Sequence, residues 1–196
     1  MKTRRNRLPL RTLSVTAVLV TLVASDAHGQ ASTCQFRGVA AALSERPSPL
    51  DSVSIPMGGE AAKLCYGRPP ARGRTILGGQ DPFGSPWRLG ANEPTTLHLP
   101  FAARIGDVDV EPGSYTLYAI PDDGVWTIVV NGNTNRWGIP ISPNVRRSDI
   151  GSFRVDAGTL DEHVESVSFR FEGGGASGSL VFEWEYTTFR IPLSRR

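Results

Sequence analysis

Six side chains with chemical potential crowd the stretch from Tyr66 to Thr96: Arg68, Arg74, Trp87, Arg88, Asn92 and Glu93. Three are arginines, whose planar forks of donors suit a carboxylate, phosphate or sulfate. Glu93 has the chemistry of a general acid or base, or of an internal partner for one of those arginines. Asn92 has a side chain suited to a ligand hydrogen bond, or to a left-handed turn beside Gly90. Trp87 offers an apolar wall. Two readings compete. In one, these groups converge on a pocket for a small anionic or sugar-like ligand. In the other, they pair among themselves and satisfy the backbone of a long loop, which carries many polar groups in need of partners. A glycoside or ester hydrolase built on Glu93 is the catalytic alternative. For glycosidic chemistry it requires a second carboxylate about 5–10 Å away.

Elsewhere the chemistry is sparse. The sequence has no G-x-S-x-G, no H-E-x-x-H and no Cys beside His. His98 alternates with Leu97 and Leu99, which puts it on the less buried side of a strand, and His163 stands apart. Asp107, Asp109 and Glu111 share one strand face without the calcium-loop pattern, so a solvated face is expected. Among the aromatics, Trp87 and Trp137 fall in irregular segments and are the better ligand platforms. Tyr115, Tyr118, Trp126, Trp184 and Tyr186 fall in strands, where most serve the core. No metal, cofactor or catalytic residue is assigned.

The elements that position these residues follow from the pattern around them. Eleven of the 31 residues in the 66–96 stretch are Gly or Pro, which excludes a helix or a strand. Ile76, Leu77, Phe83, Trp87 and Leu89 are apolar anchors that a disordered segment lacks. An ordered, Arg-rich loop is therefore expected. Before it, Val39 to Leu43 has helix-forming residues, and residues 51–55 and 61–66 read as a hairpin turning at Pro56 to Gly59. After it the chain alternates apolar and polar residues in short runs, punctuated by Glu111-Pro112-Gly113 and Pro121-Asp122-Asp123-Gly124. A turn is expected at Asp161-Glu162, and Leu180, Phe182, Trp184 and Tyr186 are expected on one face. Residues 136–150 form a second irregular segment. About ten strands, each with one apolar face, require two sheets that cover each other: an all-β, antiparallel β-sandwich, jelly-roll-like.

The N-terminus reads as an address. Lys2, Arg4, Arg5, Arg7 and Arg11 precede an apolar run from Leu13 to Ala24, and Ala27-His28-Gly29 offers a cleavage site before Gln30. A predominantly apolar run of twelve residues falls short of the roughly 20 that span a bilayer. Residues 1–29 are thus expected to be a removable signal peptide, 30–50 an N-terminal extension, and 51–196 a single domain. A periplasmic or extracellular protein follows. The twin-arginine pattern is matched poorly, because Arg7 sits where an apolar residue is preferred. The whole chain has 21 basic and 19 acidic residues; removing the leader takes five basic residues and Asp26, leaving 16 against 18. A mature charge of −2 gives no reason to expect nucleic acid, and no integral membrane segment remains. Two cysteines, Cys34 and Cys65, suit one disulfide in an oxidising compartment.

The central stretch also resembles a known signature. Tyr66-Gly67-Arg68-Pro69, Arg72-Gly73-Arg74, Phe83-Gly84, Trp87-Arg88 and Gly90 to Thr96, followed by Pro112 to Leu117, Ile120-Pro121, Trp126 and Asn131, are similar to the bacterial domain-of-unknown-function 2911 family. The likeness covers roughly residues 50–193. It implies an exported, β-rich bacterial protein and no particular activity. With it, the sequence is read as a non-catalytic ligand-binding or scaffold β-domain of the bacterial envelope.

Overall fold

A computed structural model describes residues 33–196; the expected signal peptide lies outside the described residues, as does the poorly matched twin-arginine pattern. Two antiparallel sheets pack face to face. The first has six strands in the order β1 (Leu50–Met57), β2 (Glu60–Gly67), β3 (Thr95–Leu99), β6 (Gly113–Ile120), β7 (Val125–Asn131) and β8 (Asp149–Asp156). The second runs β5 (Val108–Val110), β4 (Ala103–Ile105), β10 (Ser177–Arg195), β9 (Gly158–Gly174). The expected all-β sandwich is therefore present.

Alternation explains the core. Leu64 and Tyr66 of β2, Leu97 and Leu99 of β3, Leu117 and Ala119 of β6, and Trp126, Ile128 and Val130 of β7 all point inward from the first sheet. Val167, Phe169, Leu180, Phe182, Trp184, Phe189 and Ile191 meet them from the second. The hairpin expected over residues 51–66 pairs in register from Leu50↔Gly67 to Met57↔Glu60. The helix-forming run near Val39 makes only a single 3-10 turn, Ala40–Ala42. Within the second irregular segment, Pro143–Arg146 forms one helical turn, α1, capped by Ser142.

The last two strands differ from the expectation. No turn falls at Asp161-Glu162; β9 runs through it as one strand of 17 residues. The extra chain is absorbed as irregular register: Ser168 faces Glu183, Val164 faces Glu185, and Thr159 faces Thr187. Glu185 sits at φ 52°, and this bulge interrupts the alternation. Tyr186 consequently points outward, 53% exposed, instead of joining Leu180, Phe182 and Trp184 inside.

Cys34 and Cys65 form the expected disulfide, which ties the N-terminal extension to β2. Gly67, at the end of β2, lies flat against the long loop: a Cβ there would sit 2.0 Å from the Ala91 carbonyl oxygen. Neither backbone can yield without disturbing the sheet. Gly67→Ala should therefore cost about 3 kcal/mol by overpacking. Gly124→Ala, at φ 77° with open space around it, should cost about 1 kcal/mol from backbone strain alone. Urea unfolding of both variants checks the order; equal losses would contradict the close approach.

Candidate functional site

The loop between β2 and β3 is ordered because both sheets hold it. It leaves the first sheet and pairs with β9, where Ala71 N–H donates to Glu165 O (2.7 Å) and Val167 N–H to Pro69 O (3.1 Å). The Glu185 carboxylate accepts from the backbone N–H groups of Ile76 and Leu77, both at 2.9 Å. The loop then returns to the first sheet. Trp87 exchanges two backbone bonds with Ala119 (2.7 and 2.8 Å), and its ring enters the core. That ring stacks on Trp184 at 5.5 Å and meets Trp126 and Phe182 edge-on. Trp87 is thus a core plug with little face left for a ligand.

The six singled-out residues do not form one group. Arg74 and Arg88 share a cavity of about 200 Å³ whose inner side is formed by Trp87 and Trp184. Arg68 is exposed beside Asp51, 3.9 Å away, and Asn92 is turned to the Ser48 carbonyl. Asn92 adopts φ 60°, the left-handed conformation its side chain tolerates. Glu93 is buried and clamped. Arg46 Nη1 reaches both its oxygens, at 2.9 and 2.8 Å, and the Arg37 backbone N–H donates to Oε1 at 2.6 Å. Three donor contacts and a full counter-charge give Glu93 a structural task and leave it poorly placed for proton transfer. The arginine partner comes from the N-terminal extension and not from the loop.

At the shared cavity the electrostatics are less settled. Arg88 Nε donates to Gly90 O at 3.0 Å, but its terminal nitrogens have no hydrogen-bond or ion-pair partner among the described residues. Burial pushes its pKa down, opposed by the nearby Asp81 carboxylate. Asp81, which sequence reasoning missed, lines the same cavity. Burial pushes its carboxyl up against the pull of Arg88 and Arg74. Arg74 spends its donors on Ala71 O, Pro70 O and Gln80 Oε1. A half-buried guanidinium with free donors is a site for an oxyanion. Asp81 escaped notice because Gln80-Asp81-Pro82 reads as turn chemistry.

A second cavity, about 210 Å³, lies over the outer face of the first sheet, where Thr96, His98 and Ser114 meet Arg37 and Arg136. His98 is indeed on the face away from Leu97 and Leu99, but that face is covered, leaving it 8% exposed. Its Nδ1 lies 2.8 Å from Ser114 Oγ, while Nε2 is buried without a partner. Burial and then Lys63 push its pKa down, which favours the neutral ring. Trp137, the other expected platform, is half exposed with the Arg37 guanidinium 5.9 Å from its ring centre. Asp109 is paired with Arg104 at 2.6 Å on an exposed strand pair.

The Glu93 clamp can be tested through stability. Arg46→Met strands a buried carboxylate and should cost about 3–5 kcal/mol. Adding Glu93→Leu should recover part of that loss, so the double variant is more stable than the sum of the single losses predicts. Strict additivity in denaturant melts would mean the pair does not exist in solution.

No curated protein and no solved structure matches this chain. A family model described as "Protein of unknown function (DUF2911)" matches residues 48–193, which includes the whole loop and all the strands but for the last two residues of β10. The chain therefore belongs to the DUF2911 family.

Proposed function

We propose that this chain is an exported, non-catalytic binding domain of a bacterial envelope, and that it holds a small anionic or sugar-like ligand at the Arg88 cavity. The observation that carries the binding reading is the state of Arg88. Its guanidinium is half-buried, its terminal nitrogens lack protein partners among the described residues, and they belong to a residue lining a small cavity. A charge with so little solvent and no counter-ion in contact gains most from an oxyanion that brings two acceptors to the fork. A loop with only a structural task would have spent these donors on carbonyls, as Arg74 does.

Export is supported by the leader-like start and by the disulfide, since such bonds persist in oxidising compartments. No helix among the described residues is long and apolar enough to cross a membrane. When the full chain is expressed in a bacterial host, the purified protein should begin at Gln30 with no free thiol. An intact N-terminus together with two reactive cysteines would overturn the export reading.

Binding is tested by melting the mature protein with acetate, sulfate, phosphate and small sugars. A ligand at a hundredfold excess over its Kd adds about 2.7 kcal/mol to the folded state. For a domain of this size that raises Tm by roughly 5 °C or more. Arg88→Ala should abolish the shift while retaining the wild-type melt without ligand to within a few degrees. An equal shift in Arg88→Ala would remove this cavity as the site.

A further inference from the structure

Two opposite charges line the Arg88 cavity without touching. Asp81 and Arg88 form no ion pair within 4.0 Å, and no side-chain partner of the Asp81 carboxylate exists among the described residues. Each nonetheless feels the other through space. The remaining charges nearby are already engaged. Arg74 is tied to two carbonyls and Gln80, and Glu185 is tied to two backbone N–H groups. The local count is two arginines against two carboxylates, so the neighbourhood is balanced and gives no preference to a multiply charged anion. What remains unsatisfied is one acceptor and one donor fork across a gap.

We propose that the ligand is a free α-amino acid with an aliphatic side chain, its carboxylate on Arg88 and its ammonium on Asp81. This rests on the binding reading above and narrows it. A zwitterion is net neutral, matches the balanced neighbourhood, and supplies both missing partners from one carbon atom. Charge-assisted bonds of this kind are the strong ones. The cavity also has an apolar side: Ile139 lines it while 56% exposed, beside Pro86. An exposed isoleucine at a cavity rim gains by covering an aliphatic ligand side chain. The volume, about 200 Å³, equals about seven water volumes of ~30 Å³. That suits a single amino acid.

The test uses three compounds of one shape. L-Leucine carries both charges, 4-methylpentanoate lacks the ammonium, and 3-methylbutylamine lacks the carboxylate. Calorimetry on the mature wild-type protein should give leucine at least about tenfold tighter binding than either analogue. Asp81→Asn should abolish the preference for leucine over 4-methylpentanoate by weakening leucine, while 4-methylpentanoate binds at least as well as to the wild type. Arg88→Met should lose both, with its fold confirmed by circular dichroism. If 4-methylpentanoate binds as tightly as leucine, or Asp81→Asn does not weaken leucine, the amino-acid proposal fails while the anion site survives. If no carboxylate binds the wild type, the amino-acid proposal fails, and the binding reading stands or falls on the sulfate, phosphate and sugar melts. Asp81 makes only backbone bonds to its neighbours, so its variant does not depend on a refolded loop.

Discussion

A loop of 27 residues between β2 and β3 has to satisfy its own backbone without a sheet partner of its own, and that constraint shapes the rest of the molecule. Unpaired buried peptide groups cost too much to leave. The chain solves the problem by borrowing partners from both sheets in turn: the edge of β9, the Glu185 carboxylate at the register shift between β9 and β10, and Ala119 at the end of β6. Trp87 then fills the mouth of the sandwich between Trp126 and Trp184. Its neighbour Arg88 follows it to the rim, held by its own Nε bond to Gly90 O. The position of the candidate site is thus a consequence of how the loop is pinned.

The carboxylates around this loop show three uses of one functional group. Glu93 is saturated by an arginine fork and a backbone donor. Glu185 is saturated by two backbone donors and serves as a substitute strand partner. Asp81 has neither, although it is half-buried and feels two arginines. Burial without partners is what separates a candidate ligand group from a structural one, because a satisfied carboxylate has little to gain from a ligand.

Much of the scaffold was legible from period-two alternation, which placed Leu97, Leu117, Trp126, Phe169 and Phe182 inside. The loop was legible as ordered, since its apolar anchors had to pack somewhere; Ile76, Trp87 and Leu89 are all buried. The site was only half legible. Arg74 and Arg88 come together, but Arg68, Asn92 and Glu93 do not join them. Residue type gives reach and charge, whereas grouping depends on which way a loop turns. The bulge at Glu185 was invisible for the same reason. Nothing in E-W-E-Y-T announces a left-handed glutamate; the register of a distant strand imposes it. Arg46 was missed because its partner is 47 residues away across a long loop closure.

Arg46 also bears on where the domain begins. The family match starts at residue 48, and the alternating pattern starts at residue 51. Yet Cys34 is bonded to β2, the Arg37 backbone and the Arg46 guanidinium both hold Glu93, and Arg37 Nε donates to Arg136 O at 2.9 Å. Cutting the chain at residue 48 would remove the disulfide together with the Arg37 and Arg46 partners of Glu93, a loss of several kcal/mol. The Arg88 cavity, by contrast, is lined only by residues after 68. The extension therefore belongs to the stability of the folded unit and not to the candidate site. The two roles separate in sequence even though Glu93 and Arg88 are five residues apart.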